Sequence, residues 1–225
     1  KRYRGMVTPE IQYYDYVMYE NRQIRDNKYQ DQLNYWVESL SGSVMKCEIP
    51  SDFQVKDVVT YQGDRVLFHI PQELKEKIET LAKKNNVTNF CILMSALKIL
   101  LHKYLAQDDI IVGTPVLGRN SQECQELVGC FINMLPVRSV IHQEAKVVDF
   151  IKSENNNILN GLKNQEVPFD YIVEQMKVEK DIYSSPIYQV VFSYEANAIR
   201  DIHIKDLEIE FSELNLQTAK VDLAL

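Results

Sequence analysis

Residues 110–138 read IIVGTPVLGRN, then SQECQE, then LVGCFINMLPVR, and the fold turns on how this stretch is read. Ile110-Ile111-Val112 is a short apolar run bounded by Gly113 and Pro115, the signature of a buried strand. A Gly118-Arg119-Asn120 turn follows. A second apolar run, 128–137, then carries one uncharged polar residue, Asn133, in its middle. Buried polar groups need partners. The Asn133 amide is therefore either bonded to backbone or facing a solvated passage.

Working outward, the upstream sequence alternates helical and strand patterns. Thr8-Pro9-Glu10 reads as a helix start, with Thr as N-cap and Pro in the first turn. Tyr13, Tyr14, Tyr16 and Tyr19 follow. A second helix places Leu33, Trp36 and Leu40 on one face and is closed by Gly42. Alternation over 58–70 predicts a hairpin or two edge strands around Gly63-Asp64. Pro71 opens an amphipathic helix with a stripe of Leu74, Ile78, Leu81 and Ala82. Thr88 caps a helix so apolar from Phe90 onward that it belongs in a core.

Downstream, Val148, Ile151, Ile158 and Leu162 mark another helix, and a loop through Pro168 leads to a short one, with Asp170 as its cap. Strands are expected at 187–194, 202–211 and 218–225. The class is α/β, a mixed sheet flanked by helices.

The 225 residues are 45% hydrophobic and 25% charged, ordinary globular values, with a net charge of −7 and a pI near 5.2. That balance disfavours nucleic acid, and there is no Lys/Arg run for an anionic membrane. The longest apolar stretch carries Lys98 and is too short for a bilayer. Four cysteines with no C-x-x-C spacing fit a reduced, cytoplasmic setting. The four histidines are scattered and form no metal motif. The sequence holds no G-x-S-x-G elbow, P-loop or G-x-G-x-x-G. The start at KRYRG and the end at KVDLAL read as those of a piece of something longer. Taken alone, these residues predict an α/β domain and no chemistry.

Several segments in fixed order carry more. Tyr13-Tyr14-Asp15-Tyr16-Val17-Met18-Tyr19 resembles Y-x-D-[FY]-A-V-W. Val128 to Arg138, VGCFINMLPVR, resembles V-G-x-F-V-N-T-x-x-x-R. Asn164 to Asp170, NQEVPFD, resembles [HN]-Q-D-x-P-F-E, with its two acidic residues exchanged. Lys180 to Ile187 resembles R-D-x-S-x-x-P-L more loosely, and GTPVLGR at 113–119 and TAKVDL at 218–223 agree as well. Together they resemble the condensation domains of nonribosomal peptide synthetases, a two-lobed fold similar to chloramphenicol acetyltransferase.

The resemblance implies an enzyme that joins a carrier-bound acyl or peptidyl thioester to the amine of a carrier-bound aminoacyl group. It implies no directly bound cofactor, because substrates ride on the phosphopantetheine of peptidyl carrier proteins. An adjacent adenylation domain is also implied. The family's H-H-x-x-x-D-G string, which supplies the active-site histidine, does not occur in this sequence. Residues 1–56 are thus expected to be a helical linker from a missing N-terminal lobe. Residues 57–225 are expected to be the C-terminal lobe, truncated at its end. The fragment is expected to be inactive alone, and an apolar face left by the missing lobe would favour self-association.

The resemblance also implies roles. Arg119, with Arg65 as runner-up, would hold the carboxylate of the missing motif, since a guanidinium is rigid and always charged; the alternative is a solvated turn arginine. Asn133 would border the tunnel and meet pantetheine or substrate; the alternative is a strand Asn bonded to backbone. Ser185 would lie near the tunnel; the alternative is a cap of the turn before Pro186. At the level of the whole chain, the alternatives are a non-catalytic carrier-protein docking or scaffold module and an epimerisation domain of the same fold.

Overall fold

The computed structural model describes residues 9–42, 47, 49–52, 61–178, 185–195, 207 and 214–225. Two helices lead, α1 (Tyr13–Arg25) and α2 (Gln30–Leu40), followed by α3 (Gln72–Asn85) and α4 (Asn89–Leu105). Strand β1 (Asp109–Val116), the single turn α5 (Gln122–Gln125) and strand β2 (Asn133–Val140) make up the stretch that dominated the sequence. Then come α6 (Val147–Lys163), α7 (Phe169–Gln175), β3 (Val190–Val191) and β4 (Leu223–Ala224).

The described strands lie in the order β2-β1-β3-β4. β1 and β2 are antiparallel, from Asp109 opposite Val140 to Val116 opposite Asn133. β3 runs parallel to β1, and β4 parallel to β3. The sheet is mixed, as expected. Two prolines sit in it without breaking it, and the pairing explains one of them. The Gly113 carbonyl accepts from Phe192 N–H at 2.9 Å, so position 113 bonds toward β3. Its cross-strand partner Pro136 therefore turns its nitrogen to the outer edge, where a missing N–H leaves no ladder bond unmade.

Helices α4 and α6 pack on each other and against β1 and β2. Ile110, Ile111, Val112, Leu135 and Val137 are buried between these elements. Leu33, Trp36 and Leu40 of α2 join the same core, as their spacing predicts. Gly42 takes φ +101° just past that helix, a conformation that favours glycine. Thr88 caps α4, its hydroxyl accepting from Cys91 N–H at 3.2 Å.

Other expectations are corrected. The first helix starts at Tyr13, where Gln12 N–H donates to Asp15 Oδ2 at 2.8 Å; Pro9 to Gln12 are not helical, and Thr8 lies outside the described residues. Residues 65–70 are exposed and join no ladder among the described residues. Only an isolated antiparallel bridge links Gln62 and Thr218 nearby. Alternation reports what would fit a pleated surface, and a strand also needs a partner. On α3 only Ala82 is buried, and Leu74 is 47% exposed. The strands read at 187–194 and 218–225 shorten to two paired residues each. Residues 202–206 and 208–211 fall outside the described residues, as does the expected boundary at 56.

Beneath the sheet lies a charged cluster the periodicity did not reveal. Lys98 Nζ sits 2.7 Å from Glu154 Oε1, and both side chains are 0% exposed. Lys98 also donates to the Val137 carbonyl at 3.0 Å and to Ser139 Oγ at 2.9 Å. Ser139 donates to Glu154 Oε2, while Asn157 Nδ2 donates to Ser139 Oγ at 3.1 Å. Burial pushes the Lys98 ammonium below its usual range, and Glu154 opposes that shift.

Two thiols give a pH test. Burial pushes Cys47 and Cys91 from 9.0 up to about 11. Above pH ~9 the unfolded thiols lose protons first, so the unfolded state binds fewer protons and stability falls as pH rises through the 9–11 window. The urea midpoint is expected to drop across that range, and substitution of both cysteines by serine should flatten the drop.

Candidate functional site

The site is built where three of the singled-out segments meet. Helix α1 supplies one wall with Tyr13, Asp15, Tyr16 and Tyr19. The start of β2 and the loop before it supply a second with Cys130 to Met134. The loop from Gln165 to Phe169, with Asp170 after it, supplies a third. Between them, and closed by Gly118 to Cys124, lies a cavity of about 720 Å³. That volume suits a small organic group or the end of a tethered substrate.

Aromatic packing fixes α1 to the loop. The Tyr13 ring meets Phe131 edge-on at 5.1 Å, and Tyr16 meets the same ring at 4.6 Å. Tyr13 Oη donates to the Cys130 carbonyl at 2.7 Å. Gly129 lies directly under the Tyr13 ring, where a Cβ would collide with it. Gly118 has φ +64°, and a Cβ there would collide with the Phe131 carbonyl. Both glycines are therefore required by close approach. Tyr16 Oη bonds Glu20 Oε1 at 3.0 Å; burial, followed by Glu20, pushes its hydroxyl well above the usual 10.

Arg119 organises the closing loop. Its Nη1 donates to the carbonyls of Cys124 and Leu127, the latter at 2.9 Å, and its Nη2 to Gly129 O at 3.4 Å. The guanidinium lies 4.2 Å from the Phe131 ring centroid, a cation–π contact. It is neither a solvated turn arginine nor, among the described residues, paired with a carboxylate. Among the described residues its bonds run through Nη1 and Nη2 alone, and none runs through Nε.

Asn133 lies on the cavity wall, but its amide is committed to the chain. Nδ2 donates to Gln165 O at 2.9 Å and Val167 O at 2.7 Å. Oδ1 accepts from Met134 N–H at 2.9 Å and Phe169 N–H at 3.0 Å. Those are the two donors and two lone pairs an amide has. The last bond also caps α7, which begins after Pro168 rather than at an Asp170 cap. Arg65 is exposed and does not line the cavity. Ser185 does not line it either; its carbonyl accepts from Gln189 Nε2 at 3.0 Å. Lys180 to Ser184, the rest of that motif, lie outside the described residues.

The charged side chains that line the cavity are all acidic, and Arg119 stands beside one lining residue, 4.2 Å from the Phe131 ring. Asp15, Glu20, Glu123, Glu166 and Asp170 line it, and no Lys, Arg or His is among the described lining residues. Glu123 is held below the usual carboxylate range by its own backbone amide and then by Ser121. No cluster of metal-ligating residues occurs among the described residues. The arrangement can attract and seat a cationic or amine-bearing group; it offers no imidazole to move a proton.

A family model for the condensation domain matches residues 2–225. The chain belongs to the condensation-domain family of nonribosomal peptide synthetases. It is 31% identical over 216 residues to bacitracin synthase 2 of Bacillus licheniformis, covering 96% of this chain and 8% of that protein. The chain thus spans a small part of the curated relatives it matches. In structure it resembles the X-domain from teicoplanin biosynthesis, with a TM-score of 0.89 and 18% identity, over 98% of this chain and 50% of that one. It also resembles the condensation domain of the monacolin K polyketide synthase MokA, with a TM-score of 0.70 and 15% identity, over 84% and 46%. These two likenesses establish the fold. In this condensation domain, family segments separated by more than a hundred residues line one cavity. No helix among the described residues is long and apolar enough to cross a membrane.

Proposed function

We propose that this chain is part of a condensation domain that forms an amide bond between a carrier-bound acyl or peptidyl thioester and a carrier-bound aminoacyl amine, and that its cavity takes the amine side. The observation carrying this reading is the carboxylate-lined wall without a cationic side chain. Such a wall raises the local concentration of an ammonium-bearing acceptor and gives a neutral acyl thioester no comparable attraction. In the reaction the amine nitrogen bonds the thioester carbonyl carbon, the C–S bond breaks, and the amine proton leaves with the departing thiol through a base. The substrates arrive on phosphopantetheine arms of peptidyl carrier proteins, with an adenylation domain loading them.

The base is not among these walls: no histidine lines the cavity among the described residues, and His102 Nδ1 is engaged with the Gln107 carbonyl at 2.9 Å. We propose that the base is the histidine of an H-H-x-x-x-D-G motif of the kind the family carries. Arg119, half-buried and with its Nε–H unbonded among the described residues, remains our candidate partner for the carboxylate of that motif. The test is reconstitution of the intact domain with two loaded carrier proteins. Product is expected with a free-amine acceptor and absent with an N-acetylated one. The 225-residue chain alone is expected to give none. An intact domain with its histidine in place and no product would leave the docking-module reading instead.

A further inference from the structure

The loop at 164–169 is held from two sides by side chains bonding its backbone. From β2, Asn133 takes the Gln165 and Val167 carbonyls and the Phe169 N–H. From α2, Gln32 Oε1 accepts Glu166 N–H at 3.1 Å, Gln32 Nε2 donates to Glu166 Oε2 at 2.9 Å, and Trp36 Nε1 donates to Asn164 O at 2.7 Å. Pro168 fixes its own φ, and Val167 is fully buried. A connecting segment ordinarily spends its backbone groups on water; here Asn164, Gln165, Glu166, Val167 and Phe169 spend theirs on two neighbouring elements. Glu166, Pro168 and Phe169, which this clamp immobilises, line the cavity.

We propose that Asn133 is a positioning residue that fixes the 164–169 loop as a wall of the amine-side chamber and so sets how well an acceptor fits. This rests on the reading of the cavity given above. Asn133 has no bonding capacity left for substrate, so it acts through the loop and its loss is felt as displacement of the wall. Reacting groups misplaced by an ångström lose rate steeply, and binding that depends on wall position is lost with it.

The sharpest variant is Asn133→Asp, which keeps the shape and the acceptor oxygen but turns the second oxygen toward the Gln165 and Val167 carbonyls. In the intact synthetase, amide exchange at 165–169 is expected to speed at least about tenfold. The KM for the acceptor is expected to rise about tenfold, with the donor KM unchanged. The new carboxyl would share the cavity lining with Glu166 on the loop, Asp170 on α7, Asp15 and Glu20 on α1, and Glu123 on α5. Their charges raise its pKa, while Arg119 beside Phe131 lowers it; the backbone carbonyls of Gln165 and Val167 that it would face add to the rise. Once protonated it can donate to one carbonyl. Relative to wild type, Asn133→Asp should therefore recover as pH falls, and Asn133→Ala should not.

If Asn133→Asp does not fold, Gln32→Ala removes the two Gln32 bonds from the opposite side of the clamp, leaving that of Trp36, and is expected to shift the acceptor KM in the same direction. Unchanged loop exchange would overturn the clamp. Faster exchange with unchanged acceptor kinetics would overturn the positioning role. Faster exchange with a change confined to the donor would leave the clamp standing and overturn the amine-side reading.

Discussion

Replacing Lys98 with methionine is expected to cost the fold about 3–5 kcal/mol, because it leaves Glu154 buried without its counter-charge. The cost arises from what remains. Glu154 keeps one bond from Ser139 but loses the ammonium 2.7 Å away, at a site where both side chains are 0% exposed. The Val137 carbonyl loses its Lys98 donor as well. For a chain of this length such a loss lowers the melting temperature on the order of 10 °C. Removing both charges, as Lys98→Met with Glu154→Leu, is expected to restore most of the stability, since a well-packed apolar pair often matches a buried ion pair. The chain's single tryptophan, 1% exposed at position 36, reports unfolding for all of these variants by fluorescence. A single variant that costs under about 1 kcal/mol would contradict the buried pair.

Trp36→Ala is expected to cost a comparable amount, about 3–5 kcal/mol. Trp36 packs edge-on against Tyr35 at 5.0 Å. Its ring also lies against Gly161 of α6, where an added Cβ would be 3.3 Å from it. Removing the ring opens a cavity among α2, α6 and β2 and frees the Asn164 carbonyl. Trp36→Phe separates the two effects: it fills most of the space and loses only the N–H, costing about 1 kcal/mol. Circular-dichroism melts distinguish the pair, and equal losses for Ala and Phe would show that the hydrogen bond, rather than the packing, carries the residue's weight.

The sequence made some of this legible, and the reasons differ by residue. Leu33, Trp36 and Leu40 were readable because helical spacing and burial are the same fact seen twice. Thr88 was readable because a cap acts within one turn. Lys98 was noticed inside an apolar run, but its partner Glu154 sits on another helix far along the chain, and no local pattern names it. Asn133 posed the right question and gave no answer, since its partners at 165, 167 and 169 belong to a loop whose approach is a tertiary event. The carboxylate wall was hidden for the same reason: Asp15, Glu123 and Asp170 are unremarkable on three separate elements. The stripe on α3 shows the reverse failure, because amphipathic spacing says which face could be buried without saying that anything covers it.

The acceptor side of the reconstituted reaction tests the central claim most directly. In the intact domain, Glu123→Gln combined with Asp170→Asn removes two wall charges. The KM for the carrier-bound amine is expected to rise about threefold to tenfold at low ionic strength, with the difference shrinking as salt screens the wall. The donor KM is expected to stay unchanged. An acceptor KM that does not move, or a change that appears only for the donor thioester, would contradict the assignment of this cavity to the amine.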